Sequence, residues 1–256
     1  MEMNNQPDIF EQLYSHAKDL SLLKKELDSA LLKIARTEFE VLMKLALVAE
    51  YKDTDTSVHI HRIGYMAELL CTLLQQPQEF CFLIRLAAPM HDVGKLGIPD
   101  NILQKPGNYD DAERSIMNQH PIIGAKILDI SNHTLFQLAS EIALTHHEKY
   151  DGSGYPYGLA GKNIPFVGRV TAIVDYYDAL TMDRCYRKAF SDHDALAMLK
   201  KEKGMHFDPE MVDVLEKNQH KFIALRDKVN RLEINFNDLI SIDLVKQLND
   251  SDFQTT

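Results

Sequence analysis

The chain has 256 residues and is 45% hydrophobic, enough to bury one large core plus an appendage. Its formal net charge of −10 argues against a general DNA- or RNA-binding surface. No apolar run is long enough to cross a bilayer, since Lys44 interrupts the best candidate, Val41–Val48. The opening Met-Glu-Met-Asn-Asn-Gln-Pro has neither the basic start nor the apolar centre of a secretory signal. Cys71, Cys81 and Cys185 form no pairing framework and no Cys-x-x-Cys motif. The expectation is a cytoplasmic protein with no membrane and no nucleic-acid duplex as partner.

In chain order, the first element is set by what is missing. Neither Gly nor Pro occurs between Asp8 and Arg62, which predicts an unusually long helix. Positions 10, 13, 17, 20, 24, 27, 31, 34, 38, 41, 45 and 48 alternate by three and four residues, and all but Lys24 and Glu38 are apolar, the seam of a coiled coil. Two readings stay open: a dimerising or signal-transmitting helix, or a long helix packed on its own domain. The expected organisation is an N-terminal helical segment over 1–50, a catalytic domain over 51–215, and a C-terminal helix with a polar tail over 216–256.

Within the central region, helical spacing sorts the histidines. His59 shares a stripe with Ile63 and Met66, and Asp55 lies one turn before it, within reach of the same ion. His61 shares the other face with Tyr65, Glu68 and Thr72 and is expected at the surface. His91 continues the stripe Phe80, Leu83, Ile84, Ala87; His120 lies between Ile116-Met117 and Ile127-Leu128; His146 follows Leu138, Ala139, Ile142 and Ala143. An unpaired polar group facing a core is costly. Four such histidines on separate helices, with acidic companions, point to metal ligation. His16, His133, His193 and His220 lack this context, and His206 is expected to order a turn. Asp175 sits among Gly168, Thr171, Ala172 and Ala179, small groups that let its helix approach a crowded centre; Asp178, one turn on, is expected to back a ligand. Imidazole and carboxylate donors together suit Fe, Mn, Zn, Ni or Co. The glycines at 152, 154, 158 and 161, with Pro156 and Pro165, predict a shaped loop, and a loop this long in a helical domain is usually functional.

Read together, His59-x-x-Arg62, His91-Asp92-x-Gly94-Lys95, His120-Pro121, His146-His147-Glu148, Asp151-Gly152-x-Gly154-Tyr155-Pro156, Asp175 and Asp178-Ala179-Leu180-Thr181 followed by Asp183-Arg184-x-Tyr186-Arg187 resemble the HD-GYP domain, a bacterial subgroup of the HD phosphohydrolase superfamily. The resemblance implies an all-α fold: a five-helix HD core with additional helices, here preceded by the long N-terminal helix. It implies hydrolysis of cyclic di-GMP to linear pGpG, often onward to GMP. By the same resemblance His59, His91, Asp92, His120, His146, His147 and Asp175 are metal ligands, with Asp92 bridging two ions. Lys95 falls near the substrate phosphate, Arg184 and Arg187 on phosphate-holding positions, and the loop around Tyr155 on the substrate cleft.

Chemistry independent of the family points the same way. The anionic oxygens of a phosphodiester repel nucleophiles, and two ions about 3.5–4 Å apart generate a hydroxide near neutral pH and clamp the attacking and leaving oxygens. Lys95 would neutralise developing charge, and Arg184 and Arg187 would dock the second phosphate. Two divalent transition metals are therefore expected, Fe or Mn favoured and Ni, Co or Zn as alternatives among which the donor set does not choose, with a third ion if Asp55 serves where many family members carry Glu. Cys185 stands at the family's usual Pro and Ser57 at a frequent Gly; neither removes a ligand. The hybrid cyclic GMP-AMP dinucleotide is the alternative substrate. A plain nucleotide phosphohydrolase needs neither the His146-His147 pair nor the Gly-Tyr-Pro loop. A catalytically weak signalling or binding module, which would contact other signalling proteins, is expected to have lost ligands, and none of the seven is lost.

Overall fold

The computed structural model describes residues 9–52, 57–129, 133–183, 188–232 and 236–251. The expected all-α fold is present, with no strand among the described residues. The helices are α1 (Ile9–Lys52), α2 (Ser57–Leu73), α3 (Gln78–Ala87), α4 (Asp100–Leu103), α5 (Asp111–Met117), α6 (His120–Leu128), α7 (Thr134–Thr145), α8 (Phe166–Thr181), α9 (Asp192–Lys201), α10 (Pro209–Lys217), α11 (Gln219–Arg231), α12 (Phe236–Ser241) and α13 (Leu244–Ser251), with 3₁₀ turns at Ala88–Met90, Val93–Gly97 and Gly161–Asn163. Local chemistry sets the boundaries. Prolines 77, 99 and 165 immediately precede α3, α4 and α8, and Pro209 opens α10, where a missing N–H is harmless. Asp110 and Glu113 form a reciprocal capping box at the start of α5.

The chain divides into two units, Met1–Val41 and Leu42–Thr256. In the first, every described side chain from Ile9 to Glu38 is exposed, the seam residues Phe10, Leu13, Leu20, Leu27, Leu31 and Ile34 among them. In the second, the buried stripe at the end of α1 is Leu42, Met43, Ala46, Ala49 and Glu50, whereas the seam residue Val48 is exposed. The seam and the core-facing stripe are therefore different faces of one helix.

The second unit is built around α2, which packs against α3, α8 and α11 and is touched by α10, α12 and α13. From His59 to Cys71 it is buried on every side. This corrects the expectation that His61 lies at the surface: its face is covered by the C-terminal helices. Tyr65 Oη donates to the carbonyls of Asp238 and Ile242 at 3.0 and 3.1 Å, and Arg85 reaches Glu68 at 3.0 Å and the Ile242 carbonyl at 3.2 Å. Phe222, Leu225, Val229, Leu239, Leu244 and Val245 are core residues, so the stretch read as a helix and polar tail supplies part of the core.

Candidate metal centre

Three elements bring the histidines together, and two glycines let them. His91 and Asp92 sit between the 3₁₀ turns that follow α3, His120 opens α6, and His146 caps α7. A side chain on Gly94 would place its first carbon 1.9 Å from the His120 carbonyl and 2.4 Å from the Gly124 amide. Only glycine lets the His91-Asp92 turn press against α6 this closely. On α8, Gly168 allows the same approach to Thr145, whose hydroxyl lies 2.2 Å from where a Cβ would stand.

The ligand atoms fall into two groups, each within 4.8 Å: Asp92, His120, His146 and His147, and His59, His91 and Asp175. These are the seven residues predicted from the sequence. Asp92 links the groups. Its Oδ1 lies 3.2 Å from His120 Nε2 and 3.5 Å from His146 Nε2, and its Oδ2 lies 3.3 Å from His91 Nε2 and 2.7 Å from Lys95 Nζ. Asp175 Oδ1 is 3.6 Å from His59 Nε2 and 3.8 Å from His91 Nε2. The carboxylate thus turns one oxygen to each group, as a bridging ligand must.

Whether these residues fit a metal is tested by their hydrogen bonds. His91 Nδ1 donates to the Ala88 carbonyl at 3.0 Å, His120 Nδ1 to Met117 at 2.8 Å, and His146 Nδ1 to Ala143 at 3.0 Å. His59 Nδ1 donates to Asp178 Oδ2 at 2.7 Å. Each bond fixes the ring and turns its Nε2 into the centre. At the centre itself, the buried His91 Nε2 and Asp92 Oδ1 have no hydrogen-bond partner. A native protein seldom leaves two such atoms unsatisfied within one site. Burial would raise the Asp92 carboxyl, but Lys95 and His91 hold it well below the usual carboxylate range. Burial, with His146 and His120 alongside, keeps His147 well below its ordinary value and therefore neutral. Burial works to lower His91 and His59, yet the carboxylates around them hold His91 up at about 9 and raise His59, so both rings would release a proton to a metal that takes its place. Ionised carboxylate and neutral imidazole are the forms that bind transition metals. The residues fit.

Behind the candidate ligands, Asp178 is held by Arg62, whose Nε and Nη2 donate to its two oxygens at 2.6 and 2.9 Å, while Arg62 Nη1 reaches Asn230 Oδ1 at 3.2 Å. The Arg62 of the sequence motif is thus a brace: it orients Asp178, which orients His59. The loop after His147 is shaped by Glu148, whose two oxygens accept the amides of Tyr157 and Leu159 at 2.8 and 3.0 Å. It carries Tyr155 onto His147, the rings stacked 4.8 Å apart at 24°. Asp55, Arg184 and Arg187 lie outside the described residues. One residue escaped the sequence reading. Glu50, on α1, is buried, its Oε2 has no hydrogen-bond partner, and its charged neighbours are His59, Lys95, Asp92 and His91.

A family model described as HD domain matches residues 39–211, more than half of the chain. The chain belongs to the HD domain family. Its resemblance to the HD-GYP subgroup also holds among its relatives. It is 42% identical over 193 residues to 3'3'-cGAMP-specific phosphodiesterase 2 of Vibrio cholerae, covering 75% of this chain and 37% of that protein. It is 41% identical over 193 residues to the cyclic di-GMP phosphodiesterase response regulator RpfG of Xanthomonas campestris, covering 75% and 51%. It is 40% identical over 205 residues to a cyclic di-GMP phosphodiesterase of Thermotoga maritima, covering 80% and 56%. The chain therefore spans about half the length or less of these relatives. Among solved structures, a cyclic GMP-AMP-specific phosphodiesterase of Vibrio cholerae superposes with a TM-score of 0.56 at 16% identity, covering 76% of this chain and 53% of that one, a likeness of fold. Within the described residues no helix is long and apolar enough to cross a membrane.

Proposed function

We propose that this chain is a metal-dependent phosphodiesterase that opens cyclic di-GMP to linear pGpG and carries part of the product on to GMP. The observation that carries this reading is the Asp92 carboxylate turned between two buried imidazole groups, with Lys95 on one of its oxygens. Two divalent ions, Fe or Mn, would supply water activation and charge neutralisation when bound at these groups. Asp92, held ionised, would bridge them, and the Nδ1 bonds keep the five-membered rings aimed inward without rearrangement. Lys95 stands where the phosphate's charge develops and neutralises it. Tyr155, parked on His147, provides a flat wall for the sugar-base portion of the substrate. Arg184 and Arg187 are proposed to hold the second phosphate, and Asp55 to join the ligands if a third ion binds.

Cyclic GMP-AMP is the second reading, supported by the 42% identity to a 3'3'-cGAMP-specific enzyme. The exposed apolar seam of α1 supports a homodimer, and the enzyme is read as cytoplasmic, in contact with other signalling proteins. The deciding experiment is a product assay on protein of known metal content, with the two dinucleotides side by side. Hydrolysis should be lost, by at least about a thousandfold, in Asp92→Ala or His91→Ala, with a fall in bound metal. Full activity of metal-stripped protein would overturn the mechanism.

A further inference from the structure

Glu50 is a buried carboxylate that the candidate ligand groups leave out. It is 3% exposed, at the end of the stripe Leu42, Met43, Ala46, Ala49, and its Oε2 makes no hydrogen bond. A carboxylate desolvated in this way is a net cost to folding unless something satisfies it. Nor is its position slack. Two residues on, Lys52 Nζ donates to the carbonyls of Leu96 and Ile98 at 3.2 and 2.7 Å and pairs with Asp100 at 3.1 Å. That clamp fastens the end of α1 to the segment just after His91 and Asp92, and Glu50 lies within electrostatic reach of His59, Lys95, Asp92 and His91.

The two ligand groups are unequal. Asp92, His120, His146 and His147 offer four donors; His59, His91 and Asp175 offer three, with Asp175 as the one carboxylate that is theirs alone. With Asp92 shared between the groups, that side would also reach four donors, and a further carboxylate behind them would hold the water that completes the shell of a divalent ion. We infer that Glu50 belongs to the metal centre, as a further carboxylate supplied by α1 to the ion on the His59–His91–Asp175 side. Its oxygen lies outside the 4.8 Å groups, so it acts as balancing charge and as hydrogen-bond acceptor for what completes that ion's shell. Glu50 is a positioning residue, and its role rests on the metal-centre reading above.

The test uses the full chain, metal-stripped and titrated with Mn²⁺ by equilibrium dialysis, with bound metal counted and thermal unfolding followed in both states. Glu50→Gln keeps the shape and removes the charge. The expected result is an unchanged or raised unfolding temperature without metal, together with Mn²⁺ affinity at the weaker site lowered by about tenfold or more. Equal Mn²⁺ affinity and stoichiometry in E50Q and wild type would overturn the inference while leaving the metal centre standing. A metal-free E50Q destabilised in step with its lost affinity would make Glu50 structural and overturn it too. If the wild-type chain itself binds no Mn²⁺, the metal centre falls and Glu50 with it. Should E50Q fail to fold, Glu50→Asp, which keeps the charge but withdraws it by one methylene, decides between the same outcomes on Mn²⁺ affinity.

Discussion

The bond between His59 and Asp178 shows how one residue's chemistry depends on another's position. Asp178 is buried, its carboxyl held far below the usual range; burial opposes this, and Arg62 and His59 override it. Asp178→Asn should leave Arg62 buried without its counter-charge and cost about 3–5 kcal/mol of stability in urea unfolding. It should also free the His59 ring and weaken metal binding by about 10–100-fold in the same dialysis assay. Unchanged stability would mean that Asn230 suffices to hold Arg62. At this scale the sequence was most readable where one residue type on an apolar stripe could be tested by spacing. Among the histidines, spacing singles out His59, His91, His120 and His146 on separate segments, and the structure brings all four together. Applied to carboxylates, spacing would have singled out Glu50 on the stripe Met43, Ala46, Ala49, a signal hidden because the coiled-coil seam on the opposite face dominated the reading of α1. Asp178 was expected behind the ligands, but that Arg62 braces it became visible only once α2 and α8 were seen packed together.

Among the elements, α1 carries two faces with different roles. From Leu42 its buried stripe belongs to the core of the second unit, while from Ile9 to Glu38 its apolar side chains stand in solvent. Exposed leucines at coiled-coil spacing are retained where another helix covers them. Removing residues 1–41, and so sparing Glu50 and Lys52, should abolish the proposed dimer while leaving the rest folded. Sedimentation and crosslinking would check this, and an undiminished dimer would count against a dimerising helix. The length of α1 was legible from the absence of Gly and Pro. Which face met the core was not, because both faces are apolar over Val41–Ala49 and only packing chooses between them.

For the molecule as a whole, the C-terminal helices matter more than their composition suggests. They close over α2 and bury a charged pair, Glu68 and Arg85, of which Glu68 stands on the helix face expected at the surface. Burial pushes the Glu68 carboxyl up to about 7 even with the Arg85 guanidinium beside it. A carboxyl whose folded value exceeds its unfolded value of 4.5 contributes stability that is full below that value and lost as pH rises toward 7. Unfolding free energy should therefore fall between pH 5 and 7, and Glu68→Gln should flatten that slope; an equal slope in both proteins would place its origin elsewhere. The mean polarity of the segment after Asn218 concealed this role, since six apolar residues spread over three short helices leave a weak periodic signal.

The bonds that pin His91, His120 and His146 to their own helix turns have a consequence for selectivity. A cage whose rings are already set spends little on rearrangement when an ion of matching geometry arrives and resists one that would need the rings turned. Rigidity of this kind would favour one coordination geometry over affinity alone.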